Sequence, residues 1–483
     1  MATINSALNL IALALDANQS ALGVIANNVA NANTAGYTRE VPNFEESAPV
    51  DINGINYGTG VTETGATSVR DTVLTTRLNQ QQQLVASSGA RLTALNTLQA
   101  LFTPASGSSS STAGDLGSDI TGFFNSFAAL EANPTNNALR QQVLSTASTL
   151  AGDTSNAAAS LNSQRSALDQ ESAGVTNQVN AFTASIAQLN RQIQSSGSTT
   201  NDGALEDQRQ QDIAQLSQII GINEVVTENN GLSITTTSGQ LLVSEGKSIQ
   251  LTTGTVGGVT HFFAEGNDLT SGLTTGGGSL GGYLTARDQD LPNALASLDQ
   301  LAYSISTSVN LANNAGTDLN GVEGTGTNAS GVTGNGSTPL YIFNQPSQVS
   351  GAAANLHVVM TDPSQITAAG FGAGNGDNSN AVLMASLATQ GIVSGQTPSN
   401  FYAQFVSQLG STVSQVQTDQ MAQTASATQL QNQVNALSSV NLNDEAASMQ
   451  QFERSYQAAS EVFTILNTVI SSALNLGVQT AVA

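Results

Sequence analysis

The sequence predicts a mainly α protein with one β-rich insertion: a coiled coil of its two terminal helices, an elongated helical bundle and a small β domain. Three observations predict it. Both ends carry apolar residues at steps of three, four and seven. A long central stretch repeats that spacing. Between about residues 222 and 280 the composition shifts to Thr, Val, Gly and Ser, with alternation such as Leu232-Ser233-Ile234-Thr235.

At the N-terminal end, Ile4, Leu8, Ile11, Leu15, Leu22, Ile25 and Val29 mark one face of a first helix. Gly36 is placed to end the turn after it in a left-handed conformation. The mixed pattern from Val41 to Val69, with Pro42 and Pro49, reads as an extended connector with short strands. Helical spacing returns from about Arg70 to Phe102, with Leu84, Arg91, Leu95, Leu98 and Phe102 on one stripe. A Ser/Gly stretch, Ser106 to Ser111, breaks it, and two shorter helices are expected over Leu116–Glu131 and Asn136–Leu150. The seam Leu161, Leu168, Val175, Val179, Phe182, Ile186, Leu189 and Ile193 then predicts a separate rod of roughly 35 residues, about 50 Å long.

After the β-rich stretch, helix is expected to resume near Tyr283 and run past Leu311. Gly316 to Ser337 reads as a surface loop and Leu356 to Met360 as a short strand. Leu409, Val413, Val416, Ala427, Leu430, Val434 and Leu437 form one late helical run. Met449, Phe452, Tyr456, Ala459, Phe463, Leu466, Ile470 and Ala473 form the last, entered through Asp444 and Glu445, which suit a helix N-terminus. The order assigns residues 1–69 with 439–483 to a terminal coiled coil and connector, 70–221 with 283–438 to the bundle, and 222–282 to the insertion.

The 483 residues suit roughly two to four domains. Net charge is −23 with 9% of residues charged; Lys247 is the lone lysine and the arginines do not cluster. No basic surface for phosphates can be assembled, which excludes nucleic-acid binding, and an acidic membrane surface would repel the chain. Cysteine is absent, which removes disulfides, thiolate metal sites and cysteine nucleophiles. Met1 to Leu15 lacks the basic start of a cleaved signal peptide, and no unbroken apolar run approaches the ~20 residues of a membrane span.

Asn27-Asn28-Val29-Ala30-Asn31-Ala32-Asn33-Thr34-Ala35-Gly36-Tyr37-Thr38-Arg39 closely resembles the N-terminal signature of the bacterial flagellar rod, hook and hook-associated family, and its Tyr37 and Arg39 resemble the hook-associated branch. Three further stretches are similar to that branch in the same order: Gly278 to Asp288, Asp377-Asn378-Ser379-Asn380-Ala381, and Val440 to Glu445. The resemblance implies a structural subunit that is exported unfolded and forms the junction layer between hook and filament. It also implies partners: further copies of itself, the hook protein, a second hook-associated junction protein and a flagellar export chaperone. The second outer β domain of larger relatives is expected to be missing. The alternatives are a rod or hook paralogue, or a secreted hydrolase or adhesin carried on a flagellar scaffold.

No catalytic, cofactor or metal site is predicted. Gly276, Gly278 and Gly281 satisfy G-x-G-x-x-G but follow a Thr-rich insertion rather than a βαβ unit, and read as a hinge. His261 and His357 lack metal-ligand spacing, and Asp318 opens a calcium-like loop that Ala329 fails to close. The predicted assembly interface is therefore the two seams, Ile4 to Val29 and Met449 to Ile470. The signature turn is Asn27, Asn28, Asn31, Asn33, Gly36, Tyr37 and Arg39, with more asparagines than one cap requires.

Overall fold

The computed structural model describes residues 2–52, 55–102, 115–196, 203–227 and 231–479. The first helix, α1 (Ala2–Asn31), pairs with the last, α12 (Leu442–Gln479). They run antiparallel, since the end of α1 meets the start of α12. Ile11, Ala17, Ala21 and Ile25 are the buried stripe of α1, and the two alanines let the helices approach closely. Each large side chain so covered contributes about 1.5–3 kcal/mol. Ser6–Asn31 reaches the length and apolar composition of a membrane-spanning helix, but polar Asp16, Asn18 and Gln19 interrupt it. Ile4 lies outside the residues whose side chains are described.

The connector forms two antiparallel ribbons, β1 (Glu40–Glu46) with β4 (Val61–Ser68) and β2 (Val50–Ile52) with β3 (Ile55–Tyr57). The Phe44 ring lies 6.2 Å from that of Phe452, so β1 rests on α12. The bundle follows with α2 (Thr72–Ala100), α3 (Leu116–Ala132), α4 (Asn137–Ser196) and α5 (Gly203–Ile219). Asp71 caps α2 by accepting from Leu74 N at 2.9 Å.

Two expectations are corrected here. The helices expected over Asn136–Leu150 and over the later seam are one helix, α4, of 60 residues and about 90 Å. Gly152 does not break it, because alanines on either side sustain the helix and Ala147, Ala151, Ala157 and Ala158 are buried beside it. Leu84, placed on the buried stripe of α2, is 47% exposed; Leu78, Asn79 and Gln83 are buried instead. Gln83 takes the inner place because its amide exchanges hydrogen bonds with Ile222, donating to O at 3.0 Å and accepting from N at 3.3 Å. The expected Ser106–Ser111 break lies outside the described residues.

The insertion holds a four-stranded meander, β5 (Ile222–Val226), β6 (Leu232–Thr236), β7 (Leu241–Ser244) and β8 (Lys247–Ser248). A three-stranded sheet follows, with β10 (Val259–Ala264) between β9 (Leu251–Val256) and β11 (Asn267–Asp268). The alternation on β6 buries Leu232, Ile234 and Thr236. The chain resumes helix earlier than Tyr283, in α6 (Thr270–Gly276) and α7 (Gly278–Thr285), then passes a π-helical turn (Ala286–Asp290) into α8 (Leu291–Asn313). Gly278, at φ +71°, sits against the backbone of Ile219 and Ile220, where a Cβ would collide. Close packing explains this glycine, with no phosphate required.

The apolar interior forms two cores. One joins α2, α3, the first part of α4, α8 and α11 (Pro398–Ser438). The other joins the later part of α4, α5, the β strands, α6 and α7. The insertion therefore draws its core from residues outside 222–282, and α4 serves both.

Between α8 and α10 (Ser379–Ser386) the only helical elements are α9 (Ala352–Asn355) and a 3-10 turn (Pro363–Gln365). The expected strand at Leu356 to Met360 is reduced to one bridge, Phe343 with Val358. This segment is partly buried rather than wholly at the surface, and asparagine side chains hold it. Asn310 Oδ1 accepts from Ile342 N and Phe343 N, both at 3.0 Å. Asn313 donates to Leu340 O at 2.8 Å and accepts from Thr367 N at 3.0 Å. Asn380 donates to Thr367 O at 2.7 Å. Asp318 closes its own turn, accepting from Asn320 N and Val322 N.

Candidate functional site

The signature turn lies where the terminal pair, the connector and the bundle meet. Asn28, at the end of α1, is 1% exposed. Its Nδ2 donates to Glu40 O at 2.8 Å and to Glu445 Oε2 at 3.1 Å, and its Oδ1 accepts from Tyr37 OH at 2.8 Å and Glu40 N at 3.0 Å. Two donors and two acceptors make a fully satisfied amide, which is what allows its burial. Glu445, also 1% exposed, accepts on its other oxygen from Arg39 Nε at 2.6 Å. Acidic charge in the first turn of α12 thus neutralises an arginine from the far side of the connector as well as favouring the helix N-terminus.

The same turn is tied to the bundle. Arg39 N donates to Ser438 O, the last residue of α11, at 2.9 Å. Thr38 N donates to Asp207 Oδ2 on α5 at 2.9 Å, and Arg70 bonds both Thr38 Oγ1 and Asp207. Gln211 Nε2 donates to Ala35 O at 3.0 Å. Gly36, at φ +80°, lies against the Gln211 side chain, so both conformation and space favour glycine there.

Burial first, then the Glu40, Asp207 and Glu445 carboxylates, pushes the Tyr37 phenol up to about 12, which keeps it a donor to Asn28. Burial, then Asp207 and Glu206, holds the Glu40 carboxyl above its ordinary value.

The other turn residues are more peripheral. Asn31 donates to Asn27 O at 3.1 Å and Oδ1 at 2.8 Å and accepts from Thr34, all on the exposed side, and Asn33 is exposed. Along the seams, Ile11 and Ile25 are buried, while Leu8, Leu15, Leu22, Met449, Phe452, Leu466 and Ile470 are half-buried. Val29, Tyr456 and Phe463 are exposed. Leu10 and Leu13 on α1, and Val462, Ile465, Val469 and Leu474 on α12, add to the uncovered apolar surface, and Ile465 is 60% exposed. In the sequence Glu445 stands out only as a helix-start acid, and Asp207 and Arg70 carry no mark of this joint. No local pattern marks a carboxylate whose partner is hundreds of residues away.

The remaining candidates for chemistry have structural partners. His261 Nδ1 lies 2.6 Å from Asp268 Oδ2, and His357 Nδ1 lies 2.8 Å from Asn355 O. Among the described residues no group of three or more His, Asp or Glu is arranged to hold a metal.

The two ends of the chain are joined at one buried polar hub, Asn28, Arg39 and Glu445, which fixes the terminal helix pair to the bundle. Residues 106–329 match the family described as flagellar hook-associated protein FlgK helical domain, and residues 8–38 match the flagella basal body rod protein family. The second match covers most of α1 and the turn through Thr38. Flagellar hook-associated protein 1 of Escherichia coli K12 is 25% identical over 558 residues, covering 98% of this chain and 100% of the relative. The protein of that name from Bacillus subtilis 168 is 25% identical over 512 residues, covering 96% of each. The solved structure of the flagellar hook junction protein FlgK from Burkholderia pseudomallei shares the fold, with a TM-score of 0.62 at 19% identity, covering 74% of this chain and 99% of that one. Over nearly its whole length the chain is thus similar to flagellar hook-associated protein 1, and its central part to the FlgK helical domain.

Proposed function

We propose that this protein polymerises into a ring-like layer between the hook and the filament, with the terminal pair as its assembly surface. The observation that carries this is the apolar face that α1 and α12 leave uncovered after pairing, from Leu10 and Leu13 to Ile465 and Val469. A two-helix pair in water gains too little from its own narrow seam, and lateral packing of copies covers the rest. In this reading residues 1–69 with 439–483 form the inner tube, and the bundle and β insertion project outward. The hook protein contacts one side of the layer and a second hook-associated junction protein the other. An export chaperone delivers the unfolded chain to the flagellum-specific channel.

Deletion of the gene tests the reading. The expected strain has complete hooks, no filaments and flagellin released to the medium. Normal filaments in that strain would overturn it.

A further inference from the structure

Five Asn-Gly steps occur in the chain, and those at Asn320, Asn335 and Asn375 lie wholly within the described residues. Such a step carries its own chemistry. The backbone nitrogen that follows can close a five-membered ring on the asparagine side-chain carbonyl, and glycine puts no side chain in the way. A fold restrains this closure by holding the amide or the nitrogen. At Asn320 both are held: Nδ2 donates to Ser364 Oγ at 2.9 Å, and Gly321 N donates to Asp318 O at 3.2 Å. At Asn375, Nδ2 donates to Leu319 O at 2.8 Å. Asn335 is different. It is exposed, its side-chain amide has no hydrogen-bond partner among the described residues, and Gly336 N reaches Gly324 O only at 3.4 Å, beyond the usual range.

We propose that Asn335 is a modification site that deamidates without an enzyme. Gly336 N forms a bond to Asn335 Cγ, the Cγ–Nδ2 bond breaks, and the Gly336 amide proton leaves with the nitrogen as ammonia. Water then opens the cyclic imide. Opening at Cγ gives aspartate, and opening at the main-chain carbonyl gives isoaspartate, in which the backbone runs through Cγ. The net change is one amide and one water to one carboxylate and one ammonium ion. Glu323 feels the result. Its Oε2 accepts from Asn335 N at 3.1 Å and its Oε1 from Gly372 N at 3.0 Å, so one carboxylate ties two segments together. The new carboxylate repels Glu323, and isoaspartate adds a methylene to the backbone where Gly336 packs against the Glu323 carbonyl.

The test holds the folded full-length chain in mildly alkaline buffer and samples it over time by peptide mass mapping. Labelling with an isoaspartyl methyltransferase tells the two products apart. Asn335 should convert about tenfold faster than Asn320, the effect of the hydrogen bonds that restrain Asn320, with Asn375 between them. In denaturant the three rates should converge, because each step joins the same two residue types and only the fold distinguishes them. Circular dichroism verifies that the native sample stays folded throughout. Equal native rates at Asn335 and Asn320, an inert Asn335, or a ranking that persists in denaturant would overturn the proposal.

Discussion

Arg39 and Glu445 stand 406 residues apart in the chain and 2.6 Å apart in space. Their ion pair closes the loop formed by everything between them, and Asn28 shares the same carboxylate. Because Glu445 is almost wholly buried while Arg39 is 30% exposed, removing Arg39 leaves a buried carboxylate without its cation rather than a weakened surface contact.

Arg39→Ala is expected to destabilise the joint by about 3–5 kcal/mol, because it strands the buried Glu445 carboxylate. Asn28→Ala should cost about 1–3 kcal/mol, since Glu40 N and Tyr37 OH lose their acceptor. Hydrogen exchange over residues 28–40 and 438–450 in the assembled protein measures the effect. The bundle should be unaffected.

The terminal helices are expected to exchange rapidly in dilute monomer and slowly after assembly, because their seam is thin and their outer faces are apolar. Strong protection of residues 6–30 in monomer would contradict this.

Ile465→Asp and Val469→Asp should leave the melting of the bundle unchanged while abolishing filament growth, with the variant recovered from the medium. Normal swimming of either strain would remove this face from the assembly surface.

Asp119 gives a pH dependence. Burial first, then Asp153 and Asp115, raises its carboxyl from 3.8 to about 6. The folded chain therefore holds this proton more tightly than the unfolded chain, so the contribution of Asp119 to stability falls as pH rises through about 4 to 6. Asp119→Asn should raise bundle stability at pH 7 by about 1 kcal/mol, a figure discounted for solvent screening, and by little at pH 4. Denaturant unfolding at the two pH values measures it.

Asn313→Leu should cost about 2–4 kcal/mol, because Leu340 O and Thr367 N lose their partner inside the protein. Faster proteolysis between residues 315 and 378 is the accompanying readout.

Much of the helical framework was legible in the sequence because a buried face repeats at fixed spacing. Ile11 and Ile25, the seam from Leu161 to Ile193 and the alternation on β6 all show it. What periodicity does not carry was missed. The continuity of α4 past Gly152 depends on alanines that pack without standing out as a stripe. The segment around Leu340 and Thr367 looked like plain loop, since its order comes from Asn310, Asn313 and Asn380 on neighbouring helices. Asn310 stands in no pattern, and its role comes from its Oδ1 accepting from Ile342 N and Phe343 N. The joint was half legible: Asn28, Tyr37 and Arg39 stand in a recognisable run, but Asp207 and Glu445 acquire meaning only through the fold.

The length of α4 has a mechanical consequence. A single helix that is a structural member of two separate interiors behaves as a continuous beam, and the β insertion is fastened to its far half through Val179 and Ile186. Bending strain at one end is carried along an unbroken ladder of peptide hydrogen bonds. Loosening either interior also withdraws support from the same beam, which couples their melting. A flexible linker at Gly174, between Leu168 of one interior and Val175 of the other, would turn this beam into two shorter struts, and the two interiors should then unfold in separate steps.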